Sequence, residues 1–316
     1  MLELVTTRTN PMIDPSLYIW GWEIPVYLFL GGLVAGMMMI SGYFLFKGRQ
    51  REVSCSCLTL PLLSVVLLSL GMLALFIDLS HRWHFWRMYT TSEPTSPMSW
   101  GSWILLLVYP ALLANALIRP PAWITSRLPW VIPLSQRIAE RSATVKFIGI
   151  VNMLLGGLLG VYTGILLSAF GARPLWNSSI LGLLFLTSGL SSAAAFVHMV
   201  ASDPYEQKLL AKADNGFLTL ELVIIALFLI GLVSSAQPHM EAAHLLLSGS
   251  YAPVFWVFVV GLGIVLPLVI QSMAVNYKIA HTPVAPILVV LGGLILRFVI
   301  VHAGQVSHWT RVVSSH

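Results

Sequence analysis

The sequence predicts an all-α integral membrane protein, and two observations carry that expectation. Only 9% of its residues are charged and 57% are hydrophobic, where a soluble domain carries about 25% charged residues. The apolar residues also fall in runs of roughly 20, the length at which a helix crosses the hydrocarbon layer. Backbone in lipid must satisfy its own hydrogen bonds, so only helices and closed barrels can span it. The alternating ~10-residue segments of a barrel are absent. The 316 residues read as one membrane domain, 1–316.

Eight spans are expected, at 20–46, 57–79, 100–118, 146–169, 178–201, 215–236, 253–276 and 283–303. Gly31, Gly32, Gly36, Gly156, Gly157, Gly160, Pro267, Gly292 and Gly293 lie inside them, as is usual where membrane helices approach closely. The first run follows a polar stretch and is too long for a signal-peptide core, so no cleavable signal is expected. Cys55 and Cys57 are separated by one residue. They are too close for an ordinary disulfide and lack companions for a zinc or iron–sulfur site.

An even number of spans puts both termini on one side. Of 17 Lys and Arg, five fall on that side and eleven on the other, with Arg297 inside the last span. The positive-inside rule makes the second face cytoplasmic and both termini periplasmic, in a bacterial inner membrane. The net charge of +5 sits in these short loops and marks orientation, not nucleic-acid binding. The cytoplasmic segment 119–145 holds several prolines, Trp123 and Trp130 among arginines, and reads as an anchor on the membrane surface. The loop 237–252 carries His239, Glu241 and His244. A solvated loop helix explains it better than a metal site.

Ionisable groups in lipid are costly and are functional candidates by default. Depth counted along the spans puts Glu23, Asp78, Tyr162, Arg297 and His302 in one outer band. Each alone has a plain explanation, such as snorkelling for Glu23 or an ion pair with Glu23 or Asp78 for Arg297. Above them lies Leu73 to Trp103, where His81, Arg82, Trp83, His84, Phe85, Trp86 and Arg87 follow Asp78 almost without a gap. That density exceeds what a connecting loop needs and reads as a docking surface over a redox site. The band offers donors, acceptors and proton carriers in an apolar setting, which suits a quinone. A second polar group, Glu221, His198, Asn152 and Lys146, is expected toward the cytoplasm as the mouth of a proton path, or as plain interhelix hydrogen bonds. Haem would need two intramembrane histidines at matching depth, and only His198 lies well inside a span on the inner side. No haem or iron–sulfur cluster is therefore expected on this chain, and no nucleotide motif occurs.

Four stretches, in sequence order, carry a resemblance. They are WGWEIPVYLFLGGLVAG from Trp20, DLSHRWHFWRM with SPMSWGSW from Asp78, LLGVYTGILLSAFGARPLWN from Leu158 with LLFLTSGLSSAAA, and LRFVIVHAGQVS from Leu296. Together they resemble the NrfD/PsrC family, the membrane subunits of nitrite and polysulfide reductases, and the length and the AGQ piece look closer to the NrfD branch. The resemblance implies two packed four-helix bundles and a haem-free subunit that exchanges electrons between quinol, most simply menaquinol, and a periplasmic four-cluster-type iron–sulfur protein. That partner would dock on the 80–100 loop and serve a multihaem cytochrome or molybdopterin subunit. It implies that Tyr162 hydrogen-bonds the quinone and that the polar positions of the first span fall on or near Glu23 and Tyr27. Ser80-His81-Arg82-Trp83 stands where many relatives have Gly-Arg-Pro. On this reading Asp78, His81, Glu23 and Tyr162 are catalytic, and Tyr162, His81, Tyr27, Trp100 and Arg297 hold the quinone. The competing reading is an ion or proton transporter working through Glu221, His198 and Arg297, for which no inverted repeat is evident.

Overall fold

The computed structural model describes residues 20–49, 59–79, 81–90, 93–201, 203–277 and 283–307; Cys55 and Cys57 lie outside them. Among the described residues eight helices are long and apolar enough to cross a membrane: α1 (Glu23–Phe46), α2 (Leu60–Asp78), α3 (Pro97–Ile118), α4 (Ser142–Ser168), α5 (Ile180–Val200), α6 (Pro204–Val233), α7 (Val254–Met273) and α8 (Val284–Val306). No strand occurs among the described residues. The protein is a multi-pass membrane protein. The end that holds Glu23 and Asp78 is called upper here, and the end that holds Phe46 and Pro204 lower.

Helix starts follow local chemistry. Pro61, Pro97 and Pro204 sit in first turns, where a missing N–H costs nothing. The main departure from the expected spans is α6, which begins at Pro204 and not at 215. Asp203 caps it, its side chain accepting from Tyr205 N at 3.1 Å, and Glu206 stands three residues on, at capping-box spacing. Lys208 and Lys212, read from the sequence as loop residues, are therefore helical. A hydropathy window ends where lysines begin, but a capped helix continues into the interface. The segment entering α6 is pinned by Arg49, whose Nη2 donates to Asp203 Oδ2 at 2.8 Å and whose guanidinium lies over the Tyr205 ring at 4.1 Å.

The 119–145 segment forms two short helices, Ala122–Arg127 and Val131–Glu140. Trp123 and Trp130 are more than 60% exposed, as an interfacial anchor requires. The first part of α7, Val254–Val265, is π-helical and then gives way to α-helix. Pro267 follows that junction, and the wider turn spares it the clash with a carbonyl one α-turn back.

α1 is the axis of the molecule. It packs against α2, α4, α5 and α8 and is 83% buried along its apolar window, whereas α2 is 33% buried and forms a lipid-facing wall. α1 and α5 meet backbone to backbone. A Cβ on Gly189 would lie 2.5 Å from the Gly32 carbonyl oxygen, and one on Gly36 would lie 2.7 Å from that of Gly189. Small residues at such crossings let membrane helices gain contact area. At the upper end Gln305 of α8 exchanges two hydrogen bonds with the Trp20 backbone, at 2.9 and 3.0 Å. Trp176 donates to the Ile300 carbonyl at 2.9 Å and stacks on Trp20. Gly304 leaves the space that the Trp176 indole fills, so the Ala303-Gly304-Gln305 piece is a clasp joining the segment before α1 to α8.

Replacing Gly189 by Val should lower stability by about 1–3 kcal/mol, the usual cost of overpacking, read as thermal unfolding in detergent. Gly157→Ala, where nothing lies within 4 Å, should be neutral.

Candidate functional site

Two polar centres occupy the molecule at different depths. The upper one is built from α1, α2, α3, α4 and the turn between α2 and α3. Glu23 and Asp78 are close enough to repel one another. Below them, Tyr27 is within electrostatic reach of both Tyr162 and Tyr89. Tyr27 and Tyr162 are buried, at 3% and 6% exposure. Tyr162 reaches its place because α3 carries glycine opposite it: a Cβ on Gly101 would stand 1.9 Å from the Tyr162 hydroxyl. Tyr89 belongs to the short helix Arg87–Thr90, which packs on α3. Half-burial pushes its hydroxyl above the usual tyrosine range, so it stays a neutral donor at any physiological pH.

A cavity of about 470 Å³ lies at the end of α2, lined by Ile77, Asp78, Leu79, His81, Arg82, Trp83 and His84. Arg82 closes the end of α2 by donating from Nη2 to the Ile77 carbonyl at 2.7 Å, a cation capping a helix C-terminus. Trp83 is 89% exposed, and Phe85 and Trp86 are exposed as well. The volume is that of a small-molecule site. Its lining supplies the Asp78 carboxylate and the His81 and His84 imidazoles. Trp100 points away from it: half-exposed, its indole donates to the Pro94 carbonyl at 2.7 Å and braces the loop.

The second centre is at mid-membrane. Arg297 of α8 is fully buried. Its Nη1 donates to Ser188 Oγ and to the Gly293 carbonyl at 3.1 Å, and Nη2 donates to the Phe185 carbonyl at 2.9 Å. The guanidinium also lies over the Phe185 ring, 4.8 Å from its centre, and Gly32 of α1 leaves room for Nη2. Glu221 of α6 lies within electrostatic reach of it, without a direct ion pair, and adjoins Ser188. Arg297 forms no ion pair with Glu23 or Asp78 among the described residues, although its Nη2 lies at Gly32, one residue from the Gly31 level of Thr163 beside Tyr162. Because α6 starts early, Glu221 lies past the middle of its helix, within electrostatic reach of Arg297. Next to it Asp214 accepts from Gln271 Nε2 at 2.7 Å and lies beside Ser191.

The remaining candidates are dispersed. His302 is partly buried and lies against Phe298. His81 is exposed beside His84. His198 is buried near the lower end of α5. Asn152 lies apart from Glu221, since its amide donates to the Ala111 and Ile148 carbonyls at 3.1 and 2.9 Å and ties α4 to α3. His239, Glu241 and His244 sit on the helix Gln237–Leu247. Among the described residues no group of three His, Cys, Asp or Glu side chains could hold a metal.

Sequence reasoning misses Tyr89, Gly101, Ser188, Asp214 and Gln271. For Asp214 a signal existed: Glu206, Asp214 and Glu221 recur at two-turn spacing behind the Asp203-Pro204 cap. For Gly101 and Tyr89 none did, because their roles exist only through contacts between distant segments.

Residues 10–308 match the family model described as "Polysulphide reductase, NrfD". The sequence is 29% identical to a protein NrfD homolog of Haemophilus influenzae, over 94% of this protein and 97% of that one. It is 30% identical to the C subunit of polysulfide reductase from Wolinella succinogenes, over 91% and 94%, and 29% identical to protein NrfD of Escherichia coli, over 95% and 99%.

Arg297→Gln should destabilise the protein by about 3–5 kcal/mol, since it leaves the Glu221 charge buried without its counter-ion. Adding Glu221→Gln should return about 1 kcal/mol of that loss, because the two buried charges are electrostatically coupled. Thermal unfolding of the two single variants and the double variant in detergent measures it.

Proposed function

The chain belongs to the NrfD polysulphide reductase family, and from that premise we propose that it is the quinol-reactive membrane subunit of a respiratory oxidoreductase complex. The observation that carries the reading is the upper centre, where three tyrosines lie within electrostatic reach of one another and Asp78, neighbour of Glu23, lines a cavity of about 470 Å³ with His81. Quinol chemistry asks for hydrogen bonds to both oxygens, acceptors for two protons and an apolar lodging for the tail. Tyr162 and His81 hold the oxygens, with Tyr27 and Tyr89 as further donors. Asp78 and Glu23 take the two protons as two electrons leave. Their mutual repulsion favours accepting one proton at a time. The half-exposed face of α2 lets the substrate, menaquinol in this reading, enter from the membrane.

The charge count puts the upper end in the periplasm of a bacterial inner membrane, with both termini. There the exposed Trp83, Phe85 and Trp86, with Arg82 and Arg87, suit an iron–sulfur protein docking on the 80–100 loop. That partner would serve a multihaem cytochrome or molybdopterin subunit. In this arrangement α1–α4 and α5–α8 form two four-helix bundles, joined where α1 packs against α5. Quinone reduction uses the same groups in reverse. Arg297 belongs to this function only indirectly, since its hydrogen bonds go to α5 and to its own helix.

In the intact complex, Tyr162→Phe and Asp78→Asn should each lower quinol-dependent turnover by about 100-fold, the usual contribution of a positioned proton-transfer group. Gly101→Ala, which displaces the Tyr162 hydroxyl, should fall with them. Full turnover in both Tyr162→Phe and Asp78→Asn would remove the site. Purified protein carrying neither quinone nor an iron–sulfur partner, yet moving ions in liposomes, would favour the transporter reading.

A further inference from the structure

The lower half of the molecule holds a groove that neither polar centre uses. It has a volume of about 390 Å³ and runs between α1, α4, α5 and α6. Phe44, Leu190 and Leu210 make a buried floor. Met153, Leu209 and Phe217 form partly exposed lips, so the groove opens sideways into the membrane. Its lining is apolar apart from the Tyr43 hydroxyl. From Leu209 to Phe217 it rises about 12 Å along α6, most of the ~15 Å that one leaflet gives to the hydrocarbon layer. α6 packs closely on α5 and α7 but not on α1 or α4, so the groove is a gap in the helix packing.

Cations gather at the lower end of this gap. Lys47 closes α1 with its ammonium 5.7 Å from the centre of the Tyr43 ring. Lys212 is exposed on α6, three residues from Leu209 and so beside it on the helix surface. Lys208 is exposed one turn further down. Lys146 of α4 is exposed on the Met153 stripe, about 10 Å of rise below that residue. α4 touches the end of α1 at this level, since a Cβ on Gly149 would stand 3.1 Å from the Phe46 nitrogen. Arg49 over the Tyr205 ring places the same end of α1 against the first turn of α6. Four lysines from three helices therefore meet where the groove reaches the interface. The carboxylates that begin α6 do not offset them: Asp203 is held by Arg49 at 2.8 Å, and Glu206 is buried. Membrane orientation asks only for lysines in loops; it does not ask for lysines on three helices around one apolar gap.

We propose that the groove is the seat of one anionic phospholipid, taken from the leaflet at the lower end. One acyl chain lies between Phe44 and Phe217 and fills the gap between α6 and the α1–α4 pair. The phosphate sits among Lys47, Lys146 and Lys212, with Lys208 at its edge. Lysine stems lie along the apolar lips while their ammonium groups stay at headgroup level. A zwitterionic phospholipid offers the same tail but carries its own cation to the lysines, so the site selects against it. A quinone tail fits the apolar part, but its head brings no charge to this end. The lipid joins α6 to α1 where direct packing is thin, and it therefore holds the helix that carries Glu221. The site is independent of the redox reading given above.

Native mass spectra of the full-length protein in detergent count its bound lipid. The protein is titrated with dioleoyl-phosphatidylglycerol and, separately, with dioleoyl-phosphatidylcholine. One phosphatidylglycerol is expected to bind at least about tenfold more tightly than phosphatidylcholine. Lys47→Gln and Lys212→Gln should each weaken phosphatidylglycerol by about fivefold, and together by about 25-fold, with little change for phosphatidylcholine. Ala213→Trp, which places an indole in the groove, should remove the tight site with every lysine in place. Should that variant not accumulate, the two lysine variants, at exposed positions, decide alone. Equal affinity for the two lipids overturns the proposal, as does unchanged affinity in the double lysine variant. A retained quinone that Ala213→Trp displaces also overturns it, because the groove then holds a quinone tail. A dimer that Ala213→Trp converts to monomer overturns it as well, because the groove is then an interface between two copies of the chain.

Discussion

The rest of the structure depends on a guanidinium held in the middle of an apolar bundle. Arginine keeps its charge at any accessible pH, and the hydrocarbon layer offers it nothing. The protein must therefore surround it. Arg297 takes two backbone carbonyls, one serine and one ring face, with the Glu221 charge within electrostatic reach and its Nε buried without a hydrogen-bond partner. Those partners come from α5, α6 and α8, with α1 pressed close. The helix order and depth of half the molecule follow from keeping that set together.

The supporting features serve this requirement. α1 and α5 approach at Gly32, Gly36 and Gly189 with no side chain between them, which leaves Arg297 without solvent and without a void. α6 starts deep in the lower interface, capped at Asp203 and pinned by Arg49, so that its third carboxylate comes within electrostatic reach of the guanidinium. The clasp of Gln305, Trp176 and Trp20 fixes the top of α8. Through it, the depth of Arg297 is tied to the start of α1 and hence to Glu23 and Tyr27. The upper centre on α1–α4 and the Arg297 centre on α5, α6 and α8 are thus joined through α1.

Much of the upper centre was legible before any coordinates. Glu23, Asp78 and Tyr162 could be placed at one end by counting along apolar runs, because a membrane gives a sequence an absolute depth scale. The eight spans were legible for the same reason. What failed was the start of α6, where lysines ended the hydropathy signal but not the helix. That single shift hid the approach of Glu221 to Arg297 and left Asp214 counted as loop.

Taken by itself, the sequence determined which segments cross the membrane, roughly how deep each polar residue lies, and that a polar chemistry gathers under Asp78–Arg87. These are one-dimensional properties set by hydrophobic length. Only the tertiary structure decided who answers whom: Arg297 with Glu221 and not Asp78, Tyr162 against Gly101, Asn152 turned to α3, and Asp214 beneath Glu221. Such pairings depend on helix rotation and neighbour choice, and in lipid these are set by close packing and hydrogen bonds between segments far apart in the sequence.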